Sequence, residues 1–258
     1  LKNPRITVIT VCYNSAATIA DTLESIATQS YRNFEHIVVD GGSTDETLAI
    51  VSGWAKHPIR LVSEPDDGVY DAMNKGFALA TGDVIGFLNA DDFYADPSVL
   101  GQIAIAFRDD AVDACHADLV YVSKDGKKAV RFWESSPFRK GAFALAWCPP
   151  HPTFYVRKHV IERLGYFDLS YRLAADTEFM VRYLESGGVR SRYIPRVWVR
   201  MRVGGQTNQS VGNVIQQNKE ILTVLRKYGM RVSVFMFVLR KVINRIGQYG
   251  SGLLKNIK

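Results

Sequence analysis

The sequence predicts an α/β fold: a mainly parallel sheet flanked by helices, with a helical appendage at the C-terminal end. Three observations carry this prediction. Short apolar runs alternate with stretches of helical spacing through residue 112. Each run ends in polar or acidic residues. The 258 residues are 47% hydrophobic and 22% charged, enough for one sizeable core.

The elements follow in order. Residues 6–12, 35–39, 59–62 and 84–88 read as strands because they are β-branched and continuously apolar. Residues 18–27 place Ile19, Leu23, Ile26 and Ala27 at helical spacing. Ser43 followed by Glu46 reads as a capping box that opens a helix through Trp54. Residues 69–80 and 97–107 read as two further helices, the first stopped by Gly82. From Asp113 the pattern changes. Residues 119–123 and 128–133 alternate around Lys124-Asp125-Gly126-Lys127, a hairpin signal. The prolines of the 147–152 segment exclude regular helix there. A strand over 153–156, a helix over 158–164, a helix opened by Leu173-Ala174-Ala175-Asp176-Thr177-Glu178-Phe179 and running to Glu185, and a strand over 193–203 complete this half.

Polar strand ends point to one crevice, because an open α/β sheet binds ligands beyond the C-terminal ends of its strands. Phe87-Leu88-Asn89-Ala90-Asp91-Asp92 is the most informative of them. Two carboxylates there offer hard oxygens for a divalent ion that also touches phosphate. The competing reading is that they cap the next helix. Thr10, Tyr13 and Asn14 end the first strand, and Asp40-Gly41-Gly42-Ser43 ends the second. Glu64-Pro65-Asp66-Asp67-Gly68-Val69-Tyr70-Asp71-Ala72-Met73-Asn74-Lys75 leads from the third strand into a helix.

These motifs, over roughly residues 6–206, resemble the inverting family 2 glycosyltransferases with the Rossmann-like GT-A fold, in the branch that builds bacterial surface polysaccharides. The resemblance implies transfer of a sugar from a UDP-sugar to a hydroxyl of a saccharide or polyprenyl-diphosphate-linked acceptor. It implies Asp40 as the acceptor of the uracil N3–H, with Thr10, Tyr13 and Asn14 lining base and ribose. It places Asp71, Lys75, Asn89, Ala90 and Asp92 along the nucleotide sugar. Asp91 becomes the ligand of Mn2+ or Mg2+, because Asn89 stands where the family usually has the first acid of Asp-x-Asp. Asp176 matches the general base at a helix start, which an N-cap would also explain. Glu178 is the second choice and a candidate acceptor contact. His151, in its proline-rich loop, is either an acceptor-side contact or structural. The Gly204-Gly205-Gln206-Thr207 stretch resembles a loop that closes over the donor, without the metal-binding His many members carry there.

Residues 1–207 would be the catalytic domain, divided at 112 into nucleotide-sugar and acceptor halves, and 208–258 a basic tail. The tail holds nine Lys or Arg against Glu220 alone, while the first 207 residues are close to neutral. Residues 232–239 are apolar and flanked by Arg231, Arg240, Lys241 and Arg245. Such a segment suits an anionic membrane surface, a packing role or a homodimer contact. No nucleic-acid module is visible. Three scattered cysteines, no secretory leader and no spanning stretch place the expected location in the cytoplasm, peripheral to the inner face of the membrane. Two other readings are an inactive membrane-associated partner that binds nucleotide sugar, and a nucleotidyltransferase. The latter needs a Gly-rich basic loop that Asn14-Ser15-Ala16-Ala17 does not provide.

Overall fold

The computed structural model describes residues 3–204 and 210–254, with side chains through Tyr249. Four strands make its first half: β1 (Ile6–Cys12), β2 (Phe34–Asp40), β3 (Arg60–Ser63) and β4 (Val84–Phe87). They lie in the order β3-β2-β1-β4, all parallel. Every residue of β1 is buried, as befits a central strand covered on both faces. Helices α1 (Ile19–Ala27), α2 (Thr47–Ser52) and α3 (Val69–Leu79) are the crossovers. Ile9, Val11, Ile37 and Val39 share one core cluster with Ala72, Met73 and Phe77 of α3.

Beyond β4 the sheet becomes mixed. Next come β5 (Phe93–Tyr94), α4 (Val99–Ala106), β6 (Ala114–Val122), β7 (Ala129–Trp133) and β8 (Tyr155–Arg157). After them stand α5 (Lys158–Leu164), α6 (Ala175–Val181) and β9 (Ser191–Arg202). β4 pairs antiparallel with β8, β8 with β6, and β6 in parallel with β9, which ends on β5. β7 adds to β6 as a hairpin partner, with Gly126 at φ +75° in the turn. The joint at β4 is tight: a Cβ on Gly86 would stand 2.3 Å from the Tyr155 ring.

Two helix starts differ from the sequence reading. The Ser43–Glu46 capping box does not form, because Ser43 Oγ donates to Asp40 instead. The helix begins at Thr47, whose N–H is taken by Asp45 Oδ1 at 3.0 Å. α6 begins at Ala175 after Ala174, so Asp176 is not its N-cap.

The tail is two helices, α7 (Val211–Lys227) and α8 (Val234–Leu254). Ser210 caps α7 by accepting from Asn213 N–H at 3.1 Å. α7 buries Ile221, Leu222, Val224 and Leu225 in the same cluster as α6. α8 lies across β7 and buries Phe237. The expected closing loop lies outside the described residues beyond Gly204, as do the tail's residues 208–209 and 255–258. No helix among the described residues is long and apolar enough to cross a membrane.

Candidate active site

A cavity of about 1690 Å³ opens at the C-terminal ends of the parallel strands and runs between the mixed half of the sheet and α8. Tyr13, Asn14, Asn89, Ala90, Asp91, His151 and Asp176 line it, so the fold brings together seven of the residues singled out from the sequence. Thr10, Asp40, Asp71, Lys75, Asp92 and Glu178 do not reach its wall.

Asp40 and Thr10 sit behind the wall. Asp40 is fully buried and accepts from Gly42 N–H, Ser43 N–H, Ser43 Oγ, Ser63 Oγ and, at 3.6 Å, Cys12 Sγ. Burial pushes its carboxyl upward, but the bonds from Ser43, Ser63 and Gly42 outweigh it and hold the carboxyl below its ordinary range. A carboxylate so occupied organises the loop and has no lone pair left for a base. Ser43 Oγ also accepts from Asn14 N–H, and Asn14 Oδ1 accepts from Thr44 N–H, both within 2.9 Å. These bonds hold Asn14 at φ +48°, a conformation Asn tolerates better than most residues. Thr10, fully buried, pairs with His36 Nε2 at 2.9 Å on the opposite side of the strand from Val11.

Asp66, not singled out above, takes the place next to Asp40 on the cavity side. It lines the cavity, and a Cβ on Gly41 would lie 2.3 Å from its Oδ2. The bare α-carbon of Gly41 therefore makes room for the Asp66 carboxylate. Lys75 and Asp71 brace the loop that carries it. Lys75 Nζ donates to Pro65 O at 2.8 Å and pairs with Glu64 and Asp71, while Asp71 Oδ2 accepts from Asp67 N–H. The acid in Glu64-Pro65-Asp66 was the available signal, since it too follows a strand end.

At the end of β4, Asp91 reaches the cavity with Asn89 beside it. Burial raises the Asp91 carboxyl above its usual range, partly opposed by its own backbone and by Arg202. Asp92 is wholly buried; burial and then the neighbouring Asp91 push it well upward. Asp92 Oδ1 accepts from Arg202 N–H, and Arg202 Nη1 donates to Asp91 O at 2.7 Å. Asn89 Oδ1 and Asp92 Oδ2 are buried with no partner. The Asp91 carboxylate and the orphaned Asn89 carbonyl are hard-oxygen donors of the kind Mg2+ and Mn2+ take together with phosphate oxygens. Among the described residues no group of three or more His, Cys, Asp or Glu could hold a metal. The donor set therefore fits an ion completed by phosphate, and does not fit a metal caged by protein alone.

In the second half of the chain, Asp176 sits in the first turn of α6, facing the cavity. Its Oδ1 accepts from Tyr70 OH at 3.2 Å and from Thr177 N–H at 2.7 Å. Tyr70 comes from α3, so the parallel half fixes the rotamer of a residue in the other half. His151 lies between Phe87 and Phe167, each 5.5 Å away between ring centres. Burial pushes its imidazole below the ordinary range, against the pull of Asp176, and so favours the neutral ring. Glu178 turns away from the cavity, which corrects its reading as an acceptor contact. It is 1% exposed, pairs with Arg182 at 3.0 Å and accepts from Tyr228 OH at 2.6 Å, locking α6 to α7.

Residues 7–163 match the model of Glycosyl transferase family 2. The chain is similar to an uncharacterized glycosyltransferase of Mycobacterium tuberculosis, 35% identical over 69% of this chain and 68% of that protein. It is also similar to a PGL/p-HBAD biosynthesis glycosyltransferase of Mycobacterium bovis, 32% identical over 94% of this chain and 93% of the relative. Among solved structures, S. aureus TarS 1-349 in complex with UDP superposes with a TM-score of 0.67 at 21% identity, covering 93% of this chain and 70% of that one. The mannosyltransferase PcManGT of Pyrobaculum calidifontis, in complex with GDP-Man and Mn2+, gives 0.68 at 21% identity over 98% and 74%. Those structural likenesses bear on fold, and they agree with the mixed GT-A sheet described above. With the family model spanning well over half of its length, the chain belongs to glycosyltransferase family 2.

Proposed function

We propose that this glycosyltransferase moves a sugar from a UDP-sugar to a hydroxyl of a saccharide or lipid-linked saccharide acceptor, with inversion at the anomeric carbon. The observation that carries the reading is Asp176, oriented by Tyr70 on the wall of the cavity that also holds Asn89 and Asp91. An oriented carboxylate suits a general base. Asp176 takes the proton of the acceptor hydroxyl as its oxygen attacks the anomeric carbon from the face opposite UDP. The C–O bond to UDP breaks, its electron pair leaves with the diphosphate, and the configuration inverts.

Tyr13, 63% exposed at the end of β1, offers its ring to the base, and Asp66 offers an acceptor for the uracil N3–H. Asp40 serves the same end indirectly, by fixing the loop against which Asp66 packs. Asp91 with Asn89 would hold a divalent cation, which would supply positive charge to the departing diphosphate. The choice of UDP draws support from the UDP and UDP-GlcNAc complexes of the structural neighbours, and that of a cation from the Mn2+ complex. α8 exposes Phe235, Val242, Ile243 and Ile246 beside Arg240 and Arg245, which supports peripheral attachment to an anionic membrane where a lipid-linked acceptor would reside.

The deciding experiment measures UDP release from a panel of UDP-sugars with Mn2+, with saccharide and lipid-linked acceptors. Acceptor-dependent release with an inverted product supports the reading. Binding without turnover across the panel would instead make the chain an inactive partner.

A further inference from the structure

The β4 end of the cavity rests on one arginine that the transfer chemistry above does not use. Arg202 closes β9 and is only 7% exposed, yet it lines the cavity. β5 follows the Asn89–Asp92 loop and pairs antiparallel with β9, Phe93 opposite Arg200. Continued by two residues, that register sets Arg202 opposite Asp91. The guanidinium then spends its donors on three segments. Nη1 donates to Asp91 O at 2.7 Å, Nε to Lys124 O at 3.1 Å in the β6–β7 turn, and Nη2 to Asp21 Oδ2 in α1. The backbone N–H of Arg202 donates to Asp92 Oδ1 at 3.3 Å. The guanidinium carbon lies 4.9 Å from the centre of the Phe93 ring. The turn closes over this stack: a Cβ on Gly126 would stand 3.2 Å from Nη2 and 3.3 Å from the ring. The Asp91 carboxylate has no such support. Among the described residues, the only hydrogen-bond donor to it is its own N–H, so its position follows from its backbone.

We propose that Arg202 is a positioning residue for the cation site: by holding the backbone of Asp91, it fixes where the Asp91 carboxylate meets a divalent ion. The inference rests on the reading of Asp91 and Asn89 as cation donors. A planar fork suits the task, because its donors point in fixed directions, whereas a lysine offers a point charge on a mobile stem. Groups that hold a metal-ligating residue from behind set metal affinity as well as geometry. Charge alone would argue the other way, since a guanidinium beside Asp91 repels a cation. Asp21, whose side chain is 62% exposed and does not line the cavity, pairs with Arg202 and offsets that charge. The arginine therefore stands here for its geometry. Its clamp also ties the cation site to two distant parts of the chain, α1 and the β6–β7 turn.

The test reads Mn2+ binding rather than turnover. Electron paramagnetic resonance follows free Mn2+ as it is titrated into the full chain saturated with UDP, with thermal melts beside it. Arg202→Gln should raise the Mn2+ dissociation constant by about tenfold, the scale of lost support behind a metal ligand, and leave UDP affinity without metal unchanged. Arg202→Lys, which keeps the charge but not the fork, should do the same. If the arginine mattered only as a nearby charge, Arg202→Gln would bind Mn2+ more tightly than the parent. If it only stabilised the fold, melting temperature would drop while Mn2+ affinity held. Either result overturns the proposal. Should the Arg202 variants not fold, Asp21→Asn decides from an exposed position. It frees one arm of the fork and should weaken Mn2+ by about threefold relative to the parent, the scale of one exposed ion pair, at high salt as at low. A loss that salt removes would be charge alone, and unchanged Mn2+ affinity would mean no coupling; both overturn the proposal. A parent–UDP complex that binds no Mn2+ would strike the cation reading itself, and this inference with it, before any variant is made.

Discussion

Tyr70 and Asp176 stand 106 residues apart in the chain and meet through one hydrogen bond of 3.2 Å. It joins the parallel half of the fold to the mixed half across the cavity, because Tyr70 belongs to α3 and Asp176 to α6. Tyr70→Phe keeps the ring and its packing on Phe167 but removes the bond. Turnover should fall by roughly fivefold, since a single orienting hydrogen bond is worth about 1 kcal/mol, with the donor KM unchanged. Asp176→Asn should lower turnover by about 10²–10⁴-fold, the usual worth of a positioned base, while UDP affinity and melting temperature persist. Steady-state kinetics of both variants decides it; near-normal transfer by Asp176→Asn would place the base elsewhere.

Asp91→Asn should remove the response of turnover to Mn2+ without unfolding the protein. An amide keeps the shape but loses the charge a divalent ion needs. The check is activity against Mn2+ concentration beside a thermal melt. A variant with the parent's metal response would show that Asp91 is not the ligand.

Asp66 and Asp40 should separate binding from folding. Asp66→Ala should weaken UDP by about 1–3 kcal/mol, the range for a lost charge-assisted bond, with little change in melting temperature. Asp40→Ala strands several buried donors, so it should cost roughly 2–4 kcal/mol of stability first. Calorimetry and denaturant titration, run on both, tell the two roles apart. Equal UDP affinity for Asp66→Ala and the parent would end the base-reading assignment.

Phe235→Asp with Ile246→Asp should release the protein from anionic vesicles, because both side chains are more than two-thirds exposed on α8. Co-sedimentation at low and high salt measures this. If the double variant stays bound as the parent does, the α8 face has another use, and sedimentation equilibrium then tests it as a contact between copies.

The parallel half also contains a pH-sensitive point. Trp54 N–H donates to His57 Nδ1 at 3.2 Å, His57 Nε2 meets His36 Nδ1 at 2.9 Å, and His36 Nε2 meets Thr10. Burial, and then His57, push His36 down to about 3. The folded state therefore refuses a proton that the unfolded chain accepts near pH 6.5. Above that value the pair adds no pH dependence. Between about 6.5 and 3 the folded state loses up to about 1.4 kcal/mol per pH unit through His36. Melting temperature should fall as pH drops through this window. A His36→Asn, His57→Asn variant should show a shallower slope, and an unchanged slope would assign the effect to other groups.

Much of this was legible in the sequence because strands announce themselves locally. β1 and β4 matched their apolar runs, and their polar ends did converge. Side-chain direction was harder. Thr10 and Val11 alternate across β1, so only Val11 reaches the cavity. Asp176 and Glu178 are two residues apart on a helix, about 200° around its axis, so one faces the cavity and the other α7. The space above Gly41 was invisible too, since its occupant, Asp66, arrives from another loop. The same holds for Lys241, which meets the cavity only through the docking of α8 on β7. Such meetings depend on long-range packing and leave no trace in spacing.

The contact of the Tyr155 ring with the bare α-carbon of Gly86 limits how this protein can be re-engineered. β4 is bonded to β1 on one side and β8 on the other, so the seam between the parallel and the mixed half runs through the middle of one sheet. Residues 1–112 alone would leave an apolar strand edge open to other chains, an invitation to aggregate. A chimaera that joins a new second half to this parallel half must therefore bring a strand whose aromatic ring fits over a glycine. Exchange of loops around the cavity avoids that demand, and is the safer route to a new acceptor.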